Sequence, residues 1–318
     1  MKLVITIDTE EDNWGDFSPT DYTLENISRI PILQEIFDKF QVKPTYLLTF
    51  PVANDDKSVS ILKPILDDGR CEIGTHCHPW NTPPLEEIIS DRNSMLCNLP
   101  EDLQFRKIKL LHETIVKNFS IKPVSFRSGR WGYNGSVARN LHKLGYKVDT
   151  SVISFTNWTR EFGPDFSEID PRAFRFSLDN IYNESNSGAL MEVPATVGYL
   201  QRNFELSNFL LKLIKRGSIR KLRLVGILNK LNILNKVWLS PENSDSKTMI
   251  ELTMQMMNNK YKLINMFFHS TSLKAGKSPY VRSENDEVRF TDCIKDFLSF
   301  TRDVGIEPVT LSDLVTLA

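Results

Sequence analysis

The chain has 318 residues, 41% hydrophobic and 25% charged, enough to enclose one large core or two small ones. Its 39 basic and 40 acidic residues give a net charge of -1, which offers no overall case for binding nucleic acid or membrane. Four cysteines without Cys-x-x-Cys spacing are too few for a disulfide framework at this length. No apolar run approaches the roughly 20 residues that span a bilayer, and the N-terminus enters a strand directly, without the basic and apolar segments of a leader. A soluble, cytoplasmic protein with reduced thiols is expected.

Strand and helix signals alternate along the chain. Leu3 to Ile7 is a short apolar run that reads as a buried parallel strand, and it ends in the acids Asp8, Glu10, Glu11 and Asp12. Tyr22 to Phe40 has helical periodicity, Pro44 to Phe50 reads as a second strand, and Ser58 to Leu66 as a helix closed by Asp68-Gly69. Cys71 to His76 is a short third strand, and Glu101 to Phe119 an amphipathic helix. Pro123 to Phe126 is a strand ending at Arg127, Asn134 to Leu144 a helix stopped by Gly145, and Tyr146 to Val152 a strand carrying Asp149. Leu190 to Val197 and Lys262 to His269 are further strands. A helix through Asp292 to Phe300 and a last strand near Glu307 to Thr310 follow. This alternation predicts an α/β fold with a parallel sheet closed into an irregular (β/α) barrel of about seven strands, one domain over 1–318.

One shift in composition interrupts the pattern. From Gln201 to Lys236 the cations Arg202, Lys212, Lys215, Arg216, Arg220, Lys221, Arg223, Lys230 and Lys236 are opposed only by Glu205, with leucine and isoleucine interleaved. An inserted pair of basic amphipathic helices is expected over 201–245. Its plain role is a lid whose lysines face water. Its sharper role is contact with anionic lipid, through the cations and an apolar face of Phe209, Leu210, Leu211, Leu213 and Ile214.

The strand ends carry the chemistry. In a parallel α/β fold the C-terminal ends of strands form the active face. Asp8 and Glu10 are two apart and point to one side of an extended chain. His76 and His78 alternate about Cys77 in the same way, so their imidazoles can share a metal with Glu10 or Asp8 as a carboxylate ligand. Arg127 follows its strand directly and can orient a carboxylate or simply form a salt bridge. Asp149 is another acid at a strand end. His269 closes an apolar strand, where a histidine serves as a general acid or a structural residue.

The order Thr-Ile-Asp8, Glu-Ile-Gly-Thr-His76, Phe-Arg127-x-Gly, Asp149-Thr-Ser and Phe-Phe-His269 resembles that of the polysaccharide deacetylases, carbohydrate esterase family 4, whose barrel is irregular. His78-Pro-Trp-Asn-Thr-Pro-Pro84, Phe126-Arg-Ser-Gly-Arg-Trp-Gly132 and His269-Ser-Thr-Ser with Ser278-Pro-Tyr280 are similar to the WalW-like branch, associated with cell-surface glycan gene clusters. The resemblance implies Asp8 as catalytic base, His76 as metal ligand, Arg127 as the residue orienting the base, His269 as general acid and Asp149 as a further acid. It implies a divalent metal, zinc first, and an N-acetylated glycan or lipid-linked sugar as substrate. Two positions depart from the family pattern. Thr9 stands where a second aspartate is usual, leaving Glu10 as the replacement. Trp80 stands where the second histidine is usual, leaving His78 to act from another place. The expected activity is removal of an acetyl group from an N-acetylated sugar during surface polysaccharide assembly. The alternatives are a degenerate barrel that binds glycan or a partner protein, and an amidohydrolase for a small non-sugar amide.

Overall fold

In the computed structural model, β1 (Lys2–Thr9) is the hub of the sheet, flanked in parallel by β2 (Thr45–Leu48) and β13 (Leu263–His269). The structure describes residues 1–318 apart from 13, 179, 216–225, 227, 229 and 318. β1 is buried on both faces, which is why its sequence is almost continuously apolar. Leu3, Ile5 and Ile7 enter the large core beneath the helices, while Val4 packs in a smaller cluster with Leu47, Val148 and Leu311 on the opposite face. Thr6 and Asp8 share the parity of Val4, so the chemistry of this strand lies on the barrel side.

From β2 the sheet continues in parallel through β3 (Glu72–Cys77), β4 (Ser125–Ser128), β5 (Val148–Asp149) and β10 (Leu190–Glu192). These seven strands follow the order β13-β1-β2-β3-β4-β5-β10. The expected barrel of about seven parallel strands is therefore present, and it is irregular where it closes. Between its two ends no ladder forms among the described residues. Instead Thr196 N donates to Asn265 O at 3.2 Å, Asn265 N donates to Thr196 Oγ1 at 2.8 Å, and Leu239 bridges Thr196 to Phe267 through backbone hydrogen bonds. Helices α1 (Ile30–Lys39), α2 (Phe50–Ala53), α3 (Asp56–Asp67), α4 (Glu101–Phe119) and α5 (Gly135–Leu144) occupy the connections between successive strands.

Several expected elements come out shorter or divided. The helix expected from Tyr22 becomes a 3-10 turn, Glu25–Arg29, followed by α1, whose Pro31 fits only a first turn. The Leu190–Val197 strand splits at Pro194, which cannot donate to a ladder, into β10 and β11 (Val197–Tyr199). The helix read through Asp292–Phe300 is longer, Glu284–Asp303, because Ser283 and Asp286 form a capping box at its start. Two regions had no counterpart in the sequence reading. One is the Met-rich helix Ser246–Asn258. The other comprises the hairpin of β6 (Thr156–Asn157) with β7 (Asp165–Phe166) and the antiparallel extension β8 (Phe174–Ser177) and β9 (Asn180–Glu184).

The basic excursion departs from a hairpin of β11 with β12 (Lys236–Trp238). Its first helix is α6 (Phe204–Lys215). Phe204 and Leu211 pack inward, whereas Leu206, Phe209, Leu210 and Leu213 are exposed. The second expected helix, with Arg216, Arg220, Lys221 and Arg223, lies outside the described residues. No described helix is long and apolar enough to cross a membrane.

The loop after β3 is fixed by one buried cation. Lys107 of α4 is fully buried, and its Nζ donates to the carbonyls of Pro79 at 2.9 Å and of Thr82 and Pro84 at 2.7 Å, and pairs with Glu87 at 2.9 Å. Lys107→Met leaves those acceptors and a carboxylate without their donor. It is expected to destabilise the fold by about 3–5 kcal/mol in urea denaturation, as for other broken buried ion pairs.

Candidate active site

Sheet register assembles the site. Parallel pairing sets Asp8 beside His269 and His76 beside Arg127. The Arg127 guanidinium is fully buried and donates through Nη1 to Asp8 Oδ1 at 2.6 Å and through Nη2 to Thr6 Oγ1 at 2.6 Å. Its Nε donates to Thr150 O at 3.0 Å. Burial acts to raise the Asp8 carboxyl, but the charges of Arg127, His76 and His269 overcome it and hold the group at about 2. Asp8 is a carboxylate with one oxygen engaged and the other facing His76 Nε2 at 3.9 Å and His269 Nε2 at 3.7 Å.

Beside it, Glu10, His76 and His78 are all buried and bring one ligand atom each to within 4.8 Å of one another. Glu10 Oε2 lies 3.7 Å from His76 Nε2 and 3.4 Å from His78 Nε2. Both histidines have Nδ1 occupied. His76 Nδ1 faces the Arg127 carbonyl at 3.1 Å. A carbonyl can only accept, so Nδ1 donates to it and Nε2 is the nitrogen turned to Glu10. His78 Nδ1 meets Glu11 Oε1 at 2.9 Å, and Glu11 in turn accepts from Asn81 at 2.6 Å and Thr49 at 3.0 Å. Imidazoles held by Nδ1 with Nε2 turned to a shared carboxylate are the donor set that a divalent metal requires. Burial works against the His78 imidazolium, yet the Glu11 carboxylate raises its pKa, so proton and metal compete for this nitrogen.

His269 stands across Asp8 from this group. Its Nδ1 donates to Glu242 Oε2 at 2.9 Å, and its backbone N donates to Glu242 Oε1 at 3.1 Å. Burial lowers the imidazolium, but Glu242, Glu10 and Asp8 raise it to about 10. The edge of Trp14 contacts the ring at 4.5 Å. Asp149 is placed differently. It is fully buried, accepts from Ser151 N at 3.0 Å and Ser151 Oγ at 2.8 Å, and does not line the cleft. Burial raises it to about 6 while it shares a hydrogen bond with Glu192, whose own pKa burial drives well above the carboxylate range.

Above these groups opens a cleft of about 520 Å³ lined by Asp8, Glu10, His76, His78, Glu242 and His269. All five tryptophans of the chain, Trp14, Trp80, Trp131, Trp158 and Trp238, line it too.

No protein-family model matches the sequence, and no curated protein matches it either. Solved structures do. A protein from Mycobacterium smegmatis assigned as a polysaccharide deacetylase is similar over 98% of this chain and 93% of its own, with a TM-score of 0.50 at 15% identity. The fold is that of a polysaccharide deacetylase. The 4-α-glucanotransferase of Thermococcus litoralis is similar over 99% of this chain but 40% of its own, with a TM-score of 0.57 at 13% identity. A family 4 acetyl xylan esterase from Clostridium thermocellum, solved with a cobalt ion, is similar over 100% of this chain and 91% of its own, with a TM-score of 0.44 at 13% identity. At such identities the likeness extends to the fold and no further.

Within that deacetylase fold the two departures have definite places. Thr9 turns its Oγ1 back to the Ile7 carbonyl at 3.0 Å, and Glu10 carries the carboxylate into the site instead. Trp80 stacks on His78 with ring centroids 4.1 Å apart, so it serves as a wall beside the imidazole. Sequence reading missed Glu11, although it was visible in the acid cluster, and Glu242, which follows Ser240-Pro241 with no local signal. Removing the Glu242 charge in Glu242→Gln keeps the shape but withdraws the largest influence raising His269. The alkaline limb of kcat/KM against pH is therefore expected to move toward lower pH by roughly 1–3 units. An unmoved limb assigns that titration to another group.

Proposed function

We propose that this chain is a metal-dependent hydrolase that removes an acetyl group from an N-acetylated sugar in cell-surface polysaccharide assembly. The observation that carries the reading is the convergence of an ionised Asp8, a protonated His269 and the Glu10–His76–His78 donor set at one end of an aromatic cleft. Glu10, His76 and His78 would hold a divalent ion, zinc first. When bound, it supplies Lewis acidity toward water and the acetyl carbonyl.

The remaining work falls to the chain's own groups. Asp8 is a carboxylate at neutral pH and accepts the proton of the attacking water on Oδ2, the oxygen that Arg127 leaves free. Arg127 fixes the direction of that oxygen through its second hydrogen bond, to Thr6. His269, kept charged and oriented by Glu242, delivers a proton through Nε2 to the departing amine. Asp8 and His269 thus hold opposite protonation states at the same pH, as a base and an acid acting in sequence must. The tryptophan faces suit the apolar C–H faces of a sugar ring. Asp149 supports the site at a distance, through its charge near Arg127.

A glycan-binding barrel without catalysis, or an amidohydrolase for a smaller amide, would use the same cleft, and turnover separates them. Asp8→Asn should retain zinc while losing about 100-fold or more in acetate release from N-acetylated sugars. His76→Ala should lose metal and activity together. Equal metal loss in the two purified variants would make Asp8 a ligand and place the base elsewhere.

The exposed stripe of Leu206, Phe209, Leu210 and Leu213 on α6 supports a second element of the proposal, contact with a membrane that carries a lipid-linked glycan. Lys212 is already paired with Glu168, so the apolar residues and not that cation would dominate. Co-sedimentation with liposomes is expected at both low and high salt, and Leu210→Asp with Leu213→Asp should abolish it. Failure of the unmutated chain to sediment with either neutral or anionic vesicles leaves α6 as a lid.

A further inference from the structure

Arg130, the second arginine of Phe126-Arg-Ser-Gly-Arg-Trp-Gly132, has no part in the chemistry above, yet it lines the same cleft. Its backbone lies at φ 52° and that of Trp131 at φ 61°. Two successive side-chain-bearing residues in the left-handed region are strained, and such strain persists where a site requires a particular direction. The guanidinium is half-buried and held by neutral groups. Nη1 donates to Ser94 Oγ and, at 3.3 Å, to the Asp91 carbonyl, and its carbon lies 5.0 Å from the centroid of the Phe17 ring. Asp91 and Glu161 act on it through space, but no described carboxylate comes within ion-pair distance.

Four acids of the cleft are matched differently. Asp8 has Arg127, Glu10 has the two histidines, Glu11 has His78 and Glu242 has His269. Asp91 also lines the cleft, without an ion pair among the described residues and acting on Arg130 only through space. Arg130 is the arginine of the cleft lining that no described carboxylate pairs. It is also close to the chemistry. Gly129, the preceding residue, lies so near His78 that any side chain there would collide with the imidazole. A continuous series of ring contacts runs from His78 to Trp80 at 4.1 Å, from Trp80 to Phe17 at 5.0 Å, and from Phe17 to Arg130. A rigid, partly desolvated guanidinium without a carboxylate is the arrangement that receives an oxyanion in a forked pair of hydrogen bonds.

We propose that Arg130 forms an anion subsite, and that the substrate is an N-acetylated sugar bearing a carboxylate or phosphate on the same or the adjoining unit. This rests on the deacetylase reading, and the test separates the two. The zinc-loaded protein is supplied with N-acetylglucosamine, neutral diacetylchitobiose, N-acetylmuramic acid and N-acetylglucosamine 1-phosphate, and amine release is followed. At least one charged sugar should exceed the neutral ones in kcat/KM by about tenfold or more, the scale of one charge-assisted hydrogen bond. The carboxylate and phosphate arms identify which anion is meant. Arg130→Asn, which tolerates a left-handed backbone, should bring that ratio close to one. Arg130→Lys, which keeps the charge without the fork, should lower it in part, and it carries the test if the asparagine variant does not fold. Equal turnover of charged and neutral sugars, or a ratio that neither variant changes, overturns the proposal.

If no sugar is deacetylated, tryptophan fluorescence still reports binding of glucuronate and glucose 1-phosphate against glucose. Preference for a charged sugar that Arg130→Asn removes would then uphold the subsite and reject the deacetylase. No preference rejects the subsite.

Discussion

The ion pair between Asp8 and Arg127 is the constraint on which the rest of the site depends. Both groups are withdrawn from water, and neither could be ionised there alone without a penalty of several kcal/mol. The pair persists because the remaining donors of Arg127 are also satisfied, by Thr6 and by Thr150. Thr6 and Thr150 then meet at Asn265, whose side chain accepts from Thr6 at 3.0 Å and donates to Thr150 at 3.0 Å. The barrel interior is thus a closed polar network joining β1, β4, β13 and the segment after β5. That network fixes one Asp8 oxygen and leaves the other free. The base role proposed for Asp8, which must point one way at the end of a strand, needs this kind of over-determination.

The histidines obey the same logic in a different form. An imidazole has two nitrogens, and only a partner on one decides what the other can do. His76 takes its partner from the backbone of β4, while His78 and His269 take theirs from Glu11 and Glu242. The backbone carbonyl can only accept, so it holds His76 by Nδ1 and turns Nε2 toward Glu10. The carboxylate partners instead favour the charged ring, which helps a proton donor and opposes a metal ligand. This physical difference separates the role proposed for His269 from that proposed for His78. It makes Glu11 a double-edged partner: it orients His78 Nε2 toward Glu10, as a ligand role needs, and also strengthens the ring's hold on a proton.

How much of this was legible in the sequence follows from the range of each interaction. The alternation of Asp8 with Glu10 and of His76 with His78 is a property of extended backbone, so it could be read directly. Arg127 and His269 were legible as strand ends, because parallel strands bring their C-terminal ends to one face. The partner of His269 was not. Glu242 lies in an irregular loop after β12, a strand whose pairing with β11 carried no readable pattern. Asp149 looked equivalent to Asp8 as an acid at a strand end. Its neighbours decide otherwise: it is hydrogen-bonded to Glu192 and meets Arg127 only through space, so burial wins and the two carboxyls share a proton. The strands between Thr156 and Glu184 escaped because they are short and antiparallel, mostly paired at the margin of the sheet, where alternation is weak.

Trp80 shapes both the cleft and the imidazole beside it. An indole there cannot coordinate an ion, and its ring lies nearly parallel to His78, covering one face of the imidazole and excluding water from it. Orientation and dehydration of His78 are both supplied here, by the Glu11 hydrogen bond and by the stacked indole. The same ring continues outward to Phe17 and Arg130, so the surface that covers His78 is also the wall along which the proposed substrate would lie. The geometry at His78 and the shape of this wall therefore cannot vary independently. A change at Trp80 would disturb the imidazole beneath it and the aromatic wall beyond it at once, which would tie the proposed choice of substrate to the proposed chemistry.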